Sequence, residues 1–395
     1  MTGQSGWERL HDDLHSEASS LRSQHLFRSL VPSPIFDQTR SDRSTLIDLT
    51  HNDYLGLRFD ADFHRSIVNE LENTPIGSGG SRLLGGEHPE FARLEQEFSV
   101  FRGAESSLFF GSGYGANQAI ISVLSRPSYA FFSDELNHAS IIDGLKLAKQ
   151  SECSRYIYRH CDYEHLEFLL RKSKANVNVI YTESIFSMDG DVSDLKVLSE
   201  LADRFNGILV VDEAHSIGVR GSRGAGEVNA QGLSHDRLIT MSTCGKALGC
   251  QGALVSGPSW FRDAMINTAR SFIYTTAPSP IVAFAVRKAI EYIGRMDADR
   301  EHLTELSRGV RKFLEELDLD VRGSKSQIVP IVVGSEKNAL QFANKLNADM
   351  CFVKAIRPPT VPKGLCRVRL SLNSSLSGSD MMRIQGLIER VVHEK

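Results

Sequence analysis

Hydrophobic residues along the chain follow two different periods, and the order in which the periods occur predicts the fold. From residue 104 to residue 257, short runs of branched and aromatic residues alternate with helical segments. Such runs are typical of strands that are buried on both faces. The predicted strands cover residues 107–110, 129–132, 156–158, 177–182, 208–211, 238–241 and 253–255. The alternation predicts an α/β fold with a mainly parallel sheet and helices on both of its faces.

The two ends of the chain have different patterns. Helical spacing of Trp7, Leu10, Leu14, Ala18 and Leu21 predicts an amphipathic N-terminal helix laid on another surface. Beyond about residue 280, a long amphipathic helix precedes further strands and helices, which predict a smaller C-terminal α+β domain. The strands are expected at 328–333, 352–356 and 367–372, and the helices at 336–347 and 379–393. We therefore expect an N-terminal arm (1–58), a large domain (59–282) and a small domain (283–395).

Composition excludes several classes of protein. The chain has 395 residues, with 41% apolar and 24% charged residues, which is typical of a soluble globular protein. A net charge of −4 gives no general attraction to nucleic acid or to an acidic membrane. The 6 cysteines form no C-x-x-C pair, which argues against a disulfide framework and a zinc site, and we predict no metal. A polar N-terminus and the lack of a long apolar run predict a cytoplasmic protein without a membrane segment.

Polar residues follow two of the predicted strands at the point where each strand ends. Asp212 and His215 come after the strand at 208–211, whereas Thr243 and Lys246 come after the strand at 238–241. In a parallel sheet, ligands bind beyond the carboxyl ends of the strands, so these side chains are expected to meet. The set suits pyridoxal phosphate (PLP). A lysine binds this cofactor covalently, a carboxylate keeps the ring nitrogen protonated, and hydroxyl groups bind the phosphate.

Three further segments add candidate ligands. The glycine-rich segment 111–115 lies between a strand and a helix, where free backbone N–H groups can bind a phosphate. Its spacing does not match G-x-G-x-x-G, which argues against a nicotinamide dinucleotide. His138 lies where a loop enters a helix and could stack on an aromatic ring, while Ser187 follows another strand. Arg369 alternates with apolar residues on a predicted strand and either binds a carboxylate or lies on the surface.

The residues 212–215 also spell DEAH, a helicase motif, so a nucleotide-driven motor is the hypothesis from a different class. A motor of this kind requires a P-loop to bind the phosphates. The sequence around Lys246 lacks the hydroxyl residue and the upstream glycine of a P-loop, and the chain has no basic stripe. The motifs G-x-S-x-G and H-E-x-x-H are also absent, which excludes the common serine hydrolases and zinc proteases.

Taken together, the chain resembles the α-oxoamine synthases among the fold-type I PLP enzymes, from about Arg22 to the C-terminus. The resemblance rests on NDYLGL (52–57), GSGGS (77–81), FSMDGD (186–191), IYTT (273–276) and IRPPTVP (356–362). The last segment is the most discriminating. It indicates the branch of the family that condenses L-alanine with a pimeloyl thioester, on coenzyme A or acyl carrier protein, with loss of carbon dioxide. Glycine C-acyltransferases, serine palmitoyltransferase-like enzymes and aminoketone signal synthases stay open as alternatives.

The resemblance also implies a role for each candidate residue. Catalysis would involve Lys246, which binds the cofactor and moves protons at Cα, together with Asp212 at the ring nitrogen, His138 stacked on the ring, and His215. The other cofactor contacts would be Gly113, Tyr114, Ser187 and Thr243, with Thr275 and Thr276 reaching the cofactor of the partner in a homodimer. The substrate contacts would be Arg22, Asn52, Thr360 and Arg369, with Arg369 on the amino acid carboxylate. Cys244 and Cys250 depart from the residues usual in the family near the lysine, which leaves the acyl specificity open.

Overall fold

The computed structural model describes residues 4–33, 46–148 and 153–394. The strands are β1 (Ile47–Asp48), β2 (Ser106–Phe110), β3 (Tyr129–Asp134), β4 (Ser154–Tyr158), β5 (Val177–Glu183), β6 (Gly207–Asp212), β7 (Leu238–Thr243), β8 (Ala253–Gly257), β9 (Ile328–Gly334), β10 (Cys351–Phe352), β11 (Lys354–Ile356) and β12 (Cys366–Ser371). The α-helices are α1 (Gly6–Ser23), α2 (Ala61–Glu70), α3 (Pro89–Arg102), α4 (Gly113–Leu124), α5 (Ala139–Leu147), α6 (Tyr163–Lys172), α7 (Leu195–Arg204), α8 (Glu227–Ala230), α9 (Ser259–Thr268), α10 (Arg270–Ile273), α11 (Pro280–Ile293), α12 (Asp297–Glu316), α13 (Glu336–Ala348) and α14 (Gly378–His393). Short 3₁₀ segments cover Leu57–Phe59, Arg82–Leu84 and Ser222–Gly224.

A seven-stranded sheet in the order β2-β8-β7-β6-β5-β3-β4 forms the centre of the molecule. The neighbours from β7 to β4 run parallel, whereas β8 is antiparallel to both β7 and β2. The prediction of a mainly parallel sheet is therefore confirmed. The parallel order also brings the carboxyl ends of β5, β6 and β7 to one edge of the sheet.

The central sheet is covered by helices on both faces, as the apolar pattern predicts. In β5, Val179 and Tyr181 pack into one hydrophobic cluster with residues of α4 and α5, whereas Ile180 packs into a second cluster with residues of α6 and α7. Successive side chains of a strand point to opposite faces, so one continuous apolar run supplies both layers. This double burial explains why these strands carry no alternation of polar and apolar residues.

The C-terminal region forms a separate three-stranded sheet in the order β11-β12-β9, which is antiparallel throughout. The predicted single strand at 352–356 is wrong, because two strands occupy this segment. β10 pairs in parallel with β1, and β11 pairs with β12. Between them, the backbone N–H of Val353 donates to the side chain of Asn347 at 2.8 Å, so the ladder is interrupted there. The predicted domain boundary at 282/283 falls within α11 and stays a prediction.

The N-terminal helix α1 begins with a capping box formed by Ser5 and Glu8. None of its residues is buried, and Trp7 is 79% exposed. Within the described part of the chain, Ala18 and Leu21 are partly buried, but Trp7, Leu10 and Leu14 are exposed, so most of the apolar face is uncovered, contrary to the expectation from its pattern. Among the same residues, no helix is both long enough and apolar enough to cross a membrane.

Candidate active site

The carboxyl edge of the central sheet contains a cavity of about 130 Å³ that is partly open to solvent. β5 ends at Glu183, β6 at Asp212 and β7 at Thr243, and Lys246 follows three residues after the last of these. The cavity is lined by Gly113, Tyr114, Asn117, His138, Ser140, Glu183, Asp212, Ala214, His215, Met241, Thr243 and Lys246. Residues from five separate segments of the sequence thus meet at this edge, and they include most of the predicted cofactor ligands.

Asp212 is held in one orientation by two hydrogen bonds. The side-chain N–H of Asn117 donates to Oδ2 and the backbone N–H of Ala214 donates to Oδ1, each at 2.9 Å. Asn117 is fixed in turn, because its Oδ1 accepts a hydrogen bond from the hydroxyl of Tyr181 at 2.7 Å. Asp212 therefore presents an oriented negative charge to the cavity.

The same asparagine connects Asp212 to His138. Asn117 donates a second hydrogen bond to the hydroxyl of Ser140 at 2.8 Å, and this hydroxyl lies 2.8 Å from Nδ1 of His138. Burial lowers the pKa of His138, and the charge of Asp212 opposes this shift. A neutral imidazole with one fixed nitrogen provides a flat, oriented surface next to the acid.

His215 belongs to a second network, which leads out of the cavity to Arg369. Its Nδ1 is hydrogen-bonded to the hydroxyl of Tyr54 at 2.7 Å, and Tyr54 contacts Oδ1 of Asn52 at 3.1 Å. That oxygen also accepts a hydrogen bond from Arg369 at 3.0 Å. Burial, reinforced by the charge of Lys246, lowers the pKa of His215 well below its usual value, so the ring is neutral.

Among the described residues, Lys246 is the one lysine or arginine that lines this cavity, and it is partly buried. Burial lowers the pKa of Lys246 to about 8, although the charge of Asp212 acts in the opposite direction. An amine whose pKa lies close to neutral pH has a substantial unprotonated fraction, which is the nucleophilic form. The side chain can thus attack a carbonyl carbon or exchange a proton.

The start of α4 provides the anion-binding end of the cavity. Ser112 caps the helix by accepting a hydrogen bond from the N–H of Gly115, and the N–H of Ala116 donates to the carbonyl of Ser112, which leaves the N–H groups of Gly113 and Tyr114 available for a ligand. The backbone at Gly113 also lies very close to β7, because a Cβ at this position would be 2.6 Å from Cγ2 of Thr243. Glycine is therefore required to bring the helix terminus and the Thr243 side chain to the same place.

Several predicted site residues lie elsewhere. Ser187 follows β5 but does not line the cavity around Lys246, and the exposed Thr275 lines a neighbouring cavity on the outer side of the segment 111–115. Thr276 is also exposed. Arg22 lies in the N-terminal segment, where its guanidinium stacks on the ring of Phe27 at 3.9 Å.

The arm with Arg22 is anchored to the loop with Thr360. Arg28 donates a hydrogen bond to the carbonyl of Pro358 at 3.0 Å, and Arg357 donates one to the carbonyl of His25. Thr360 is exposed in this loop, so these two predicted substrate residues lie near one another but outside the cavity.

The structure adds residues that the sequence did not single out. Asn117, Ser140 and Tyr181 are each at most 1% exposed and join the network around Asp212, while Glu183 lines the cavity beside it. The one sequence signal for Asn117 is a polar residue on an otherwise apolar helix directly after the glycine-rich segment. Tyr181 is a tyrosine within a strand, which a sequence alone does not distinguish from a packing residue.

The chain belongs to the family described as aminotransferase class I and II, whose model matches residues 44–384. It is 38% identical to an 8-amino-7-oxononanoate synthase of Anaeromyxobacter dehalogenans over 95% of this chain and 94% of that protein. It is also 37% identical to an 8-amino-7-oxononanoate synthase of Geobacter sulfurreducens, over 96% of this chain and 97% of that protein.

Solved structures share the fold. A serine palmitoyltransferase from S. paucimobilis with bound PLP matches with a TM-score of 0.87 and 26% identity, covering 99% of both chains. The crystal structure of 8-amino-7-oxononanoate synthase from Francisella tularensis matches with a TM-score of 0.77 and 29% identity, covering 89% of this chain and 99% of that one. These matches and the central sheet confirm the predicted fold.

Proposed function

We propose that the chain is a PLP-dependent C-acyltransferase that condenses L-alanine with a pimeloyl thioester. The products are 8-amino-7-oxononanoate, carbon dioxide and the free thiol, and the reaction belongs to biotin biosynthesis. The observation that carries this proposal is one cavity that brings together a partly buried lysine of lowered pKa, an oriented carboxylate and a helix N-terminus. The relatives named 8-amino-7-oxononanoate synthase, at 37–38% identity over nearly the whole chain, support the choice of substrates.

The residues of the cavity fit PLP. The close approach of Gly113 to Thr243 forms a cradle for a phosphate, and Lys246 supplies the amine for covalent attachment. Buried oxygens without a hydrogen-bond partner, Oγ of Ser242 and Oε1 of Glu183, occur on the strands that end there. In the proposed complex, Gly113, Tyr114 and Thr243 hold the phosphate, Asp212 accepts the ring N–H, and His138 stacks on the ring.

When bound, PLP withdraws electron density from the substrate Cα, so that a bond to this carbon can break heterolytically. Lys246 is the base that takes the Cα proton of L-alanine. Asp212 keeps the ring nitrogen protonated, because a buried carboxylate favours the cationic form of a partner beside it. Ser187 and His215 are the proposed contacts of the phenolic oxygen.

Arg369 is the proposed ligand of the amino acid carboxylate. It is 9% exposed, its Nε has no hydrogen-bond partner, and no acidic side chain of the described residues lies within ion-pair distance of it. A buried guanidinium in this state favours an anionic ligand, which can bind it in a bidentate manner. Asn52 orients Arg369 through their 3.0 Å hydrogen bond, and Arg22 and Thr360 are proposed to contact the acyl substrate.

A serine palmitoyltransferase-like activity is the second candidate. The observation in its favour is the larger structural overlap, with a TM-score of 0.87 over 99% of the chain. Both candidates need the same lysine and carboxylate, so they differ only in the amino acid and the acyl group. We also propose that the active unit is a homodimer in which Thr275 and Thr276 reach the cofactor phosphate of the partner subunit.

The test is a substrate matrix. Purified protein loaded with PLP is incubated with L-alanine, glycine or L-serine, each with pimeloyl-CoA, pimeloyl-acyl carrier protein, acetyl-CoA or palmitoyl-CoA. Mass spectrometry of the product and release of carbon dioxide are measured, with Lys246→Ala as the inactive control. We expect turnover with L-alanine and a pimeloyl thioester. Turnover only with glycine and acetyl-CoA, or only with L-serine and palmitoyl-CoA, would contradict the proposal.

A further inference from the structure

Two carboxyl groups lie side by side in the cavity, and the function proposed above uses only one of them. Glu183 and Asp212 are the last residues of the neighbouring parallel strands β5 and β6, and they are register partners. Paired residues of adjacent strands place their side chains on the same face, with the strands about 5 Å apart. Glu183 is 2% exposed and Asp212 is 4% exposed, so both groups are shielded from bulk solvent.

The surroundings of the two carboxyl groups are unequal. Asp212 accepts hydrogen bonds from Asn117 and Ala214 at 2.9 Å. By contrast, Oε1 of Glu183 is buried without a hydrogen-bond partner, and no basic side chain of the described residues forms an ion pair with Glu183. Two adjacent buried carboxyl groups do not both ionise readily, and the group with fewer donors retains the proton.

The other charged groups around Glu183 do not reverse this asymmetry. Burial raises the pKa of Glu183 well above its usual value, and the charge of Asp212 reinforces this shift, with a smaller contribution from Asp134. Lys246 and the backbone N–H of His138 act in the opposite direction. Because burial lowers the pKa of Lys246 to about 8, the compensating positive charge of this amine is already reduced by about half at pH 8.

We propose that Glu183 is a further ligand-binding residue of this site, which holds a proton beside the ionised Asp212 and donates a hydrogen bond from its carboxyl O–H into the cavity. The protonation state is independent of the proposed function, whereas the hydrogen bond to the bound cofactor rests on it. The carboxyl pair then carries a single negative charge, located on Asp212. A cationic ring nitrogen therefore meets one anion, while an acceptor atom of the same ligand meets a neutral donor.

The first experiment uses the protein without cofactor. The infrared spectrum at pH 8 is recorded for the wild type, for Glu183→Gln and for Glu227→Gln. Glu227 is the matched control, because it is 3% exposed but forms an ion pair with Arg220 at 2.8 Å. We expect the C=O stretch of a protonated carboxyl group in the wild type and in Glu227→Gln, and its loss in Glu183→Gln. An unchanged spectrum in Glu183→Gln would overturn the proposal.

The second experiment measures the pKa of Lys246 by the pH dependence of its reaction with an amine reagent, again without cofactor. Removal of a neutral acid leaves this pKa unchanged, so Glu183→Gln should match the wild type. Asp212→Asn should lower the pKa, because it removes an anion that favours the protonated amine. A lowered pKa of Lys246 in Glu183→Gln would show that Glu183 is ionised and would contradict the proposal.

The third measurement tests the hydrogen bond to the ligand through the dissociation constant of PLP. Glu183→Gln retains a neutral N–H donor of the same shape, so the dissociation constant should stay within about threefold of the wild type. Glu183→Leu loses the donor, and we expect an increase of about tenfold. Equal values for the leucine variant and the wild type would contradict the hydrogen bond. None of these measurements requires turnover, so failure of the substrate matrix alone would leave this inference intact.

Discussion

At the scale of single residues, the candidate site depends on the environment of each group more than on its identity. Lys246 is one of many lysines in the chain, but burial lowers its pKa to about 8. Asp212 is distinguished by the two donors that fix its oxygens. An oriented charge in a partly buried site interacts strongly with a charged ligand, because the local dielectric constant is lower than that of water and no reorganisation is needed.

Replacement of Asp212 by Asn tests whether the negative charge of Asp212 keeps the ring nitrogen of the cofactor protonated. We expect the cofactor to remain bound through the phosphate cradle and Lys246, while kcat falls on the order of 10²–10³-fold, the range for loss of one preorganised electrostatic contact. Steady-state kinetics and the visible absorption of the bound cofactor measure the two effects. A wild-type kcat in Asp212→Asn would show that this carboxylate is not needed to keep the ring nitrogen protonated.

Asn117 is expected to act through Asp212. Asn117→Ala removes the donors to Asp212 and Ser140, and we expect kcat to fall about 10–100-fold, the range for one hydrogen bond to a charged group. KM for the amino acid should stay unchanged, because Asn117 does not contact this substrate in the proposed complex. Gln118→Ala is the matched control, since the Gln118 amide donates to the carbonyl of Ser140 at 2.8 Å but makes no hydrogen bond to Asp212. Equal kcat values for the two variants would exclude the positioning role.

At the scale of elements, His160 connects β4 to two neighbouring segments. Its Nδ1 lies 2.9 Å from Asp134 at the end of β3, and its Nε2 lies 2.8 Å from Asp191 in the loop after β5. Asp134, His160 and Cys161 are close enough to hold a metal ion, but both ring nitrogens already face carboxylates. Burial opposes the charge of the ring, yet the hydrogen bonds to Asp134 and Asp191 outweigh it and raise the pKa of His160 to about 12.

This ion-paired histidine predicts a pH dependence of stability. The raised pKa means that the native state keeps a proton that the unfolded state loses, so the stabilisation is complete below about pH 6.5 and is lost as the pH rises towards 12. His160→Gln should lower the free energy of unfolding by about 1.5–3 kcal/mol at pH 6, the value for one hydrogen bond to a charged group.

Urea denaturation at pH 6 and pH 9 measures this effect. The difference between the wild type and His160→Gln should become smaller at pH 9. His165→Gln is the control. The ring of His165 accepts a hydrogen bond from the backbone N–H of Arg159 and does not bridge two carboxylates as His160 does. A difference that grows with pH would contradict the assignment of the charge.

At the scale of the whole molecule, two apolar or hydroxyl-bearing surfaces are exposed among residues 4–33, 46–148 and 153–394. The apolar face of α1 carries Trp7, Leu10 and Leu14, which are 79%, 49% and 56% exposed. The segment with Tyr274, Thr275 and Thr276 is also exposed, and it lies next to the outer side of the glycine-rich segment 111–115. A second copy of the chain could cover both surfaces. In such a dimer, Thr275 and Thr276 would lie at the subunit interface, where they are proposed to reach the cofactor of the partner.

Subunit complementation tests whether Thr275 and Thr276 act across the dimer. Lys246→Ala and the double variant Thr275→Val/Thr276→Val are each expected to have little activity. When the two are refolded together, a mixed dimer contains one site with both the lysine and the threonines, so activity should return. Thr268→Val, an exposed threonine of α9, should be active by itself. Failure of the mixture to regain activity while mixed dimers are present would show that the threonines act within their own subunit.

The sequence determined the order of strands and helices and the chemistry at the strand ends. Buried strands need continuous apolar runs, and those runs are visible without a structure; β5, β6 and β7 were each predicted to within two residues at either end. Asp212, Thr243 and Lys246 could be identified because a parallel sheet places the residues that follow its strands at one edge. The split of 352–356 into β10 and β11 is not predicted, because it depends on a hydrogen bond that the backbone of Val353 donates to a helix side chain.

Only the tertiary structure decided which buried polar groups work together. Two consecutive hydrogen bonds, from Tyr181 to Asn117 and from Asn117 to Asp212, join a strand, a helix and a second strand. No local sequence pattern predicts that these three residues contact one another. The pairing of Glu183 with Asp212 likewise follows from the spatial order of β5 and β6. Periodicity reports how each segment faces the core, whereas pKa shifts and hydrogen bonds depend on distances between segments, and these exist only once the chain has folded.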